Sequence, residues 1–297
     1  MFKGSYVALV TPFKNGAVDE ETFAGLVEWH IEMGTDGIVA CGTTGESPTL
    51  SHEEHNRVVD ICVEAAAGRV PVIAGSGSNS TSEAIAMTEH AARAGASAAL
   101  LVSPYYNKPT QEGIYRHFKA IADAVDIPQI IYNIPGRTAS TVSVDTMARL
   151  ARSENIVGVK DAVGDLAQTS ELIDRLGPDF SVLSGDDVLT LPMMALGGHG
   201  VISTTANVAP RKMAALVSAG LEGDFARARA LHYELFCLMK AMFLETNPIP
   251  VKTALALMGK TGEEFRLPLC PMSQINKERL QDVLRKAGLL EEAANEA

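Results

Sequence analysis

The chain has few cysteines, few aromatics and no excess of positive charge. Its four cysteines, Cys41, Cys62, Cys237 and Cys270, stand far apart with no C-x-x-C pair. That excludes a zinc site read from cysteine spacing and points to a reducing compartment. The formal net charge of −11 supplies no basic field for phosphates, so nucleic acid is not an expected partner. An anionic substrate would have to be captured by local cations. No apolar run approaches the roughly 18 residues of a membrane span. The opening MFKGSYVALVTPF is too short for a signal-peptide core with its cleavage site. The expectation is a soluble cytoplasmic protein. With 46% hydrophobic and 21% charged residues over 297 positions, the composition is globular and long enough for a sizeable core.

What is present is a repeating order. Short runs rich in Val, Ile, Leu and Ala recur as YVALVTP, GIVACGTTG, VPVIAGSG, AALLVSPYYN, IPQIIYNIPG, IVGVKDA, FSVLSGDD and GVISTTAN. Between them lie segments such as DEETFAGLVEWHIEMG and TSEAIAMTEHAARAG, in which apolar residues return at helical spacing and a glycine closes the run. Strand followed by helix, repeated, implies parallel pairing, and strands without strict alternation imply cover on both faces. Eight such units match a (β/α)8 TIM barrel. An open doubly wound sheet would carry a Gly-rich fingerprint after its first strand, where this chain has VTPFKNG. After Ala209 the chain reads as helix only, including a last helix over SQINKERLQDVLRKAGLLEEA. The expected organisation is a catalytic barrel over residues 1–224 and a small C-terminal helical domain over 225–297.

In such a barrel the chemistry sits at the C-terminal ends of the strands. Those ends carry Thr43 and Thr44, Ser76, Tyr105 and Tyr106, Tyr132 with Arg137, Lys160, Asp186 with Asp187, and Ser203 with Thr204. Taken singly, each has a bland reading. A strand-end lysine usually reaches water or pairs with a neighbour such as Asp161, and GTTGE can be only a turn into the helix that Ser51 and Glu54 begin with a capping box. Together they describe a site. A lysine attacks a ketone when desolvation lowers its pKa far enough to free the amine. Gly158, two residues earlier on the same strand face, would leave room beside it. Tyrosine and threonine hydroxyls can move protons without a metal. Backbone amides of Gly-Thr-Thr-Gly can hold a small carboxylate, and arginine offers a second one a bidentate grip.

The ordered set GTTGES, YYNKPTQEG, YNIPGRT, GVKDA, SGDD and NPIPVK resembles the pyruvate-dependent, lysine Schiff-base aldolases and lyases, the family of N-acetylneuraminate lyase. The resemblance runs from GSYVALVTPF to RLPLCPMS. Within that family it implies condensation of pyruvate with L-aspartate-4-semialdehyde, the first committed step toward diaminopimelate and lysine, with no cofactor beyond the covalent imine. It implies that Lys160 forms the Schiff base and that Tyr132 is the general acid and base. Thr44 and Tyr106 would complete a proton relay with Tyr132, Tyr106 by reaching into a neighbouring subunit's site. Thr43 would help hold the pyruvate carboxylate, Thr44 standing beside it in the same turn, and Arg137 would bind the carboxylate of the semialdehyde. Gly185 and Ile202 would line the pocket. A homotetramer, a dimer of tight dimers, is the implied assembly.

Inhibition by L-lysine is implied at a second site matching Ser47, Pro48, His52, His55, Asn79, Glu83 and Tyr105. Pro48 departs from the usual alanine there and removes a backbone donor. The H-x-x-H pair of His52 and His55 is read as a solvated first helical turn rather than a metal site. Three alternatives stay open on sequence alone. The first is a sister activity, N-acetylneuraminate lyase or a 2-keto-3-deoxy sugar acid aldolase, which shares the lysine and tyrosine but does not need Arg137. The second is a phosphate-binding barrel built on GGHGVIS, Gly197–Ser203, whose glycines and His199 read better as structural. The third is a catalytically silent binding barrel.

Overall fold

The computed structural model describes residues 1–291. Eight parallel strands close into a barrel: Gly4–Ala8, Gly37–Ala40, Val72–Gly75, Ala98–Val102, Gln129–Asn133, Ile156–Asp161, Ser181–Ser184 and Gly200–Ser203. Seven lie inside the apolar runs, and the first begins two residues before its run, at Gly4. The last strand pairs with the first, Tyr6 opposite Ile202, which removes every open edge.

Two apolar layers explain why the strands do not alternate. Inside the barrel, Tyr6, Val39, Ile73, Leu100, Ile130, Leu183 and Ile202 pack in one cluster. Outside, the opposite faces pack on the surrounding helices, for example Ile131 and Val159 against Ile114, Phe118 and Leu172. Helix starts follow their caps. Asp19 caps Glu20–Glu32, and Ser51 and Glu54 form the expected reciprocal capping box at His52–Ala66. Each such cap is worth about 1 kcal/mol.

Two local readings need correction. VTPFKNG does not merely end the first strand. Phe13–Lys14 and Ala17–Val18 form a small antiparallel hairpin, because Asn15 and Gly16 both adopt positive φ (55° and 82°). That is the signature of an Asn-Gly turn between strands. The last helix also stops earlier than the sequence pattern suggests. It spans Gln274–Lys286, and Gly288 at φ 71° turns the chain away. Residues 292–297 of the expected C-terminal segment lie outside the described residues. That segment contributes helices Phe225–Ala241, Ile249–Leu257 and Gln274–Lys286, and its Leu235, Leu238, Val251, Leu255, Leu280 and Leu284 share one apolar cluster with barrel residues Val7, Leu9 and Ile38. Among the described residues no helix is long and apolar enough to cross a membrane.

Candidate active site

Lys160 sits one residue from the end of strand Ile156–Asp161 and lies opposite Tyr132 on one side and Leu183 on the other. The register points its side chain into the barrel, where it is 6% exposed. Its Nζ stands 4.1 Å from the centre of the Tyr132 ring. Burial pulls its pKa from 10.5 down to about 7; Asp187 works against that fall and Arg137 with it. The ammonium is costly here because no carboxylate lies within ion-pair distance among the described residues. An amine half deprotonated at neutral pH is a nucleophile.

Gly158 does not supply the room around that amine. A Cβ at Gly158 would meet the carbonyl oxygen of Ser181 at 2.6 Å, so this glycine serves close packing of the sixth and seventh barrel strands. The space comes from Gly185, where a Cβ would fall 3.2 Å from Lys160 Cε and 2.8 Å from Ala162 Cβ. Ile202 is buried on the inner face of the last barrel strand.

Tyr132 is also buried, which pushes its phenol up to about 12, while Arg137 and the neighbouring Thr43 hydroxyl draw it back and Asp186 raises it further. A tyrosine protonated at all working pH values can donate a proton and recover it. The threonine beside it is not the one the sequence reading placed in the relay. In the turn between Cys41 and Glu46, both at a φ of 53°, the two threonines have different partners. Thr43 lines the cavity with Tyr132. Thr44 is 3% exposed and accepts a hydrogen bond from Asn247 Nδ2 at 3.0 Å.

Arg137 lies on a single helical turn, Pro135–Thr138. Its Nη2 donates to the Asn247 carbonyl at 3.0 Å. Among the described residues it has no carboxylate within ion-pair distance, so its charge faces the cavity mouth uncompensated. Tyr106 reaches none of this within its own chain: it is 88% exposed, on a backbone at φ 69°. Other rim residues are occupied by the scaffold. Ser76 pairs with Thr88 at 2.8 Å, Ser203 accepts from the Ala206 amide, and Asp187 accepts from both the amide and hydroxyl of Thr205. His199 accepts from the Val182 amide through Nδ1 and faces the Pro178 carbonyl through Nε2. Gly200, at φ 139°, has the Gly4 carbonyl oxygen 2.1 Å from where a Cβ would stand. Gly197, at φ 106°, serves the turn into the last strand, and Gly200 lets that strand close against the first.

Asn247 had no role in the sequence reading, although NPIPVK was part of the resemblance. Lys252 in the same motif forms an ion pair with Glu46, both side chains fully buried, with Nζ 4.3 Å from the Phe13 ring centre. A single charged residue in the largely apolar helix Ile249–Leu257 was the available signal.

With this geometry in place, comparison with known proteins is direct. The model of the dihydrodipicolinate synthetase family matches residues 1–287. The chain belongs to the dihydrodipicolinate synthetase family. The 4-hydroxy-tetrahydrodipicolinate synthase of Thermodesulfovibrio yellowstonii is 61% identical over 290 residues, 98% of this chain and all of the relative. Dihydrodipicolinate synthase from Acinetobacter baumannii, solved complexed with pyruvate, superposes with a TM-score of 0.96 at 50% identity, covering 98% of this chain and 100% of that one. The Cyanidioschyzon merolae enzyme, solved with lysine bound, superposes with a TM-score of 0.95 at 41% identity over 97% and 99% of the two chains.

In this member of the dihydrodipicolinate synthetase family, a cavity of about 420 Å³ runs from Thr43, Tyr132 and Arg137 to Ser47, Pro48, His52, His55, Glu83 and Tyr105. Six of the seven expected lysine-site residues therefore share it. Asn79 stands behind, donating to the Tyr105 carbonyl at 3.2 Å. The two histidines differ from the solvated pair expected. His52 is exposed and meets Glu83 at 2.9 Å. His55 is buried, with Nε2 2.7 Å from the Gly75 carbonyl and burial lowering its pKa. Pro48 occupies the first turn of the 3-10 helix Ser47–Thr49, where Thr49 and Leu50 supply the turn's amides. The missing N–H therefore costs the fold nothing.

Proposed function

We propose that this chain condenses pyruvate with L-aspartate-4-semialdehyde through an imine on Lys160. The activity is that of a 4-hydroxy-tetrahydrodipicolinate synthase, a lyase of diaminopimelate and lysine biosynthesis. The observation that carries the reading is the buried amine of Lys160 against Tyr132. The neutral amine adds to the ketone carbon, the carbinolamine loses water, and the iminium acidifies the pyruvate methyl group. Loss of a methyl proton gives an enamine whose carbon attacks the aldehyde, and the aldehyde oxygen takes up a proton. We assign Tyr132 to carry these protons, with the Thr43 hydroxyl beside it in the same cavity. The new amine-bearing chain can then displace Lys160 by transimination, which closes a ring and regenerates the enzyme. The imine is itself the electron sink, so the scheme needs no cofactor.

Arg137 is assigned to the carboxylate of the semialdehyde, which favours this reaction over a sugar-acid aldolase. Tyr106 is assigned to the relay of a second copy, since its ring stands in solvent beyond reach of its own chain's Tyr132. We propose on the same ground a homotetramer built from tight dimers, cytoplasmic residence, and inhibition by L-lysine at the Glu83 end of the cavity. The test is borohydride trapping with pyruvate, followed by peptide mapping. An adduct on Lys160, absent from Lys160→Ala, supports the mechanism, and an adduct on another lysine sinks it. Turnover of N-acetylneuraminate without turnover of the semialdehyde would overturn the substrate assignment.

A further inference from the structure

Asn247 lies in the C-terminal segment, outside the barrel, yet it touches two groups of the site. It is 5% exposed. Its side-chain amide donates to Thr44 Oγ1 at 3.0 Å, and its main-chain carbonyl accepts from Arg137 Nη2 at 3.0 Å. The segment is fixed from both ends of this contact. Helix Ile249–Leu257 follows at once, and its buried Lys252 pairs with Glu46, two residues after Thr44 in the same turn.

These contacts have chemical direction. A threonine hydroxyl that accepts from an amide N–H keeps its own proton free to donate. A donor is what a bound carboxylate requires, and a hydrogen bond to a charged acceptor is about twice as strong as a neutral one. Arg137, meanwhile, is held by a neutral carbonyl rather than by a carboxylate, so fixing its position leaves its charge uncompensated. We infer that Asn247 is a positioning residue, one that keeps the buried Thr44 hydroxyl a donor within the turn that would hold a substrate carboxylate, while its carbonyl holds Arg137 at the cavity. The inference rests on the proposed function.

The experiment compares Asn247→Asp with Asn247→Ala. Aspartate keeps the shape but reverses the bond: it accepts the Thr44 proton and adds negative charge where carboxylates must bind. We expect the KM for pyruvate to rise about 10- to 100-fold in Asn247→Asp and about 3- to 10-fold in Asn247→Ala, with kcat changed less than KM in both. A residue that only fills space would leave the KM for pyruvate unchanged in the folded protein, or raise it more in the alanine variant, which leaves a void. Either result overturns the inference. In a Thr44→Val background Asn247→Ala should add no further loss in KM. Additive losses overturn the inference and non-additive losses support it, even where the aspartate variant does not fold. Borohydride trapping of the wild type runs alongside. No adduct would bring down the proposed function and this inference together, whereas a normal adduct with the wrong order of variants brings down only the inference.

Discussion

The sharpest consequence of the site concerns the protonation of Lys160. An exposed lysine with a pKa of 10.5 is a free amine in only about one molecule in 3,000 at pH 7. With the pKa drawn to about 7 half the molecules carry the nucleophile, a gain on the order of 10³ in reactive amine. The rate of pyruvate trapping by borohydride should therefore rise tenfold per pH unit on the acid side, pass half-maximum near pH 7 and level off above it. The same shift fixes a cost in stability. The native pKa lies below the unfolded one, so between about 7 and 10.5 the unfolded chain binds more protons and stability rises with pH; below that window the full penalty applies. Near pH 7 it amounts to about 4–5 kcal/mol. Lys160→Met, which is of similar length and uncharged, should be inactive yet more resistant to urea than wild type at pH 7, and the difference should close as the pH approaches 10. Half-maximal trapping above about pH 9, or a methionine variant no more stable than wild type, would refute the account of Lys160.

Other expectations follow from single contacts. Arg137→Ala should raise the KM for the semialdehyde about 10- to 100-fold while pyruvate trapping is largely retained, as expected for a lost charge-assisted contact; equal losses in both would count against its assignment. Gly185→Ala puts a methyl 3.2 Å from Lys160 Cε, so adduct formation should slow at unchanged pH dependence, measured by stopped trapping. Glu83→Gln removes the carboxylate that would meet an ammonium, and should weaken inhibition by L-lysine at least tenfold with turnover in its absence preserved. Lys252→Met leaves Glu46 charged and buried and should cost about 3–5 kcal/mol in chemical denaturation, whereas the double variant with Glu46→Leu should recover much of that.

The barrel was legible in the sequence because its signals are local and repeated. Each strand is an apolar run closed by turn residues, and each helix carries its own cap, as Ser51 with Glu54 illustrates. Lys160 was legible for the same reason, since a lysine closing a buried strand asks for an explanation. What was not legible depends on backbone direction or on contacts far apart in sequence. Thr43 and Thr44 are chemically identical neighbours, and nothing in the sequence says that the first lines the cavity beside Tyr132 while the second bonds to Asn247. Gly158 and Gly185 look alike as residues that leave room, but the first is filled by the Ser181 backbone and only the second opens onto the lysine.

Asn247 and Thr44 are 203 residues apart, so no spacing rule could pair them. Their contact explains why the site needs more than the barrel. Loops on a closed barrel rim are held only at their two ends, and the turn after the second barrel strand carries both threonines of the site. A C-terminal segment that bonds Thr44 and Arg137 directly, and clamps Glu46 through a buried lysine, removes freedom that the barrel leaves in that turn. Loosening the clamp away from the chemistry should therefore act on substrate binding before it acts on Lys160. In the Lys252→Met and Glu46→Leu double variant, the pH of half-maximal pyruvate trapping should stay near 7 while the KM for both substrates rises. A shift of that midpoint toward higher pH would mean that the C-terminal segment serves instead to keep water from the amine.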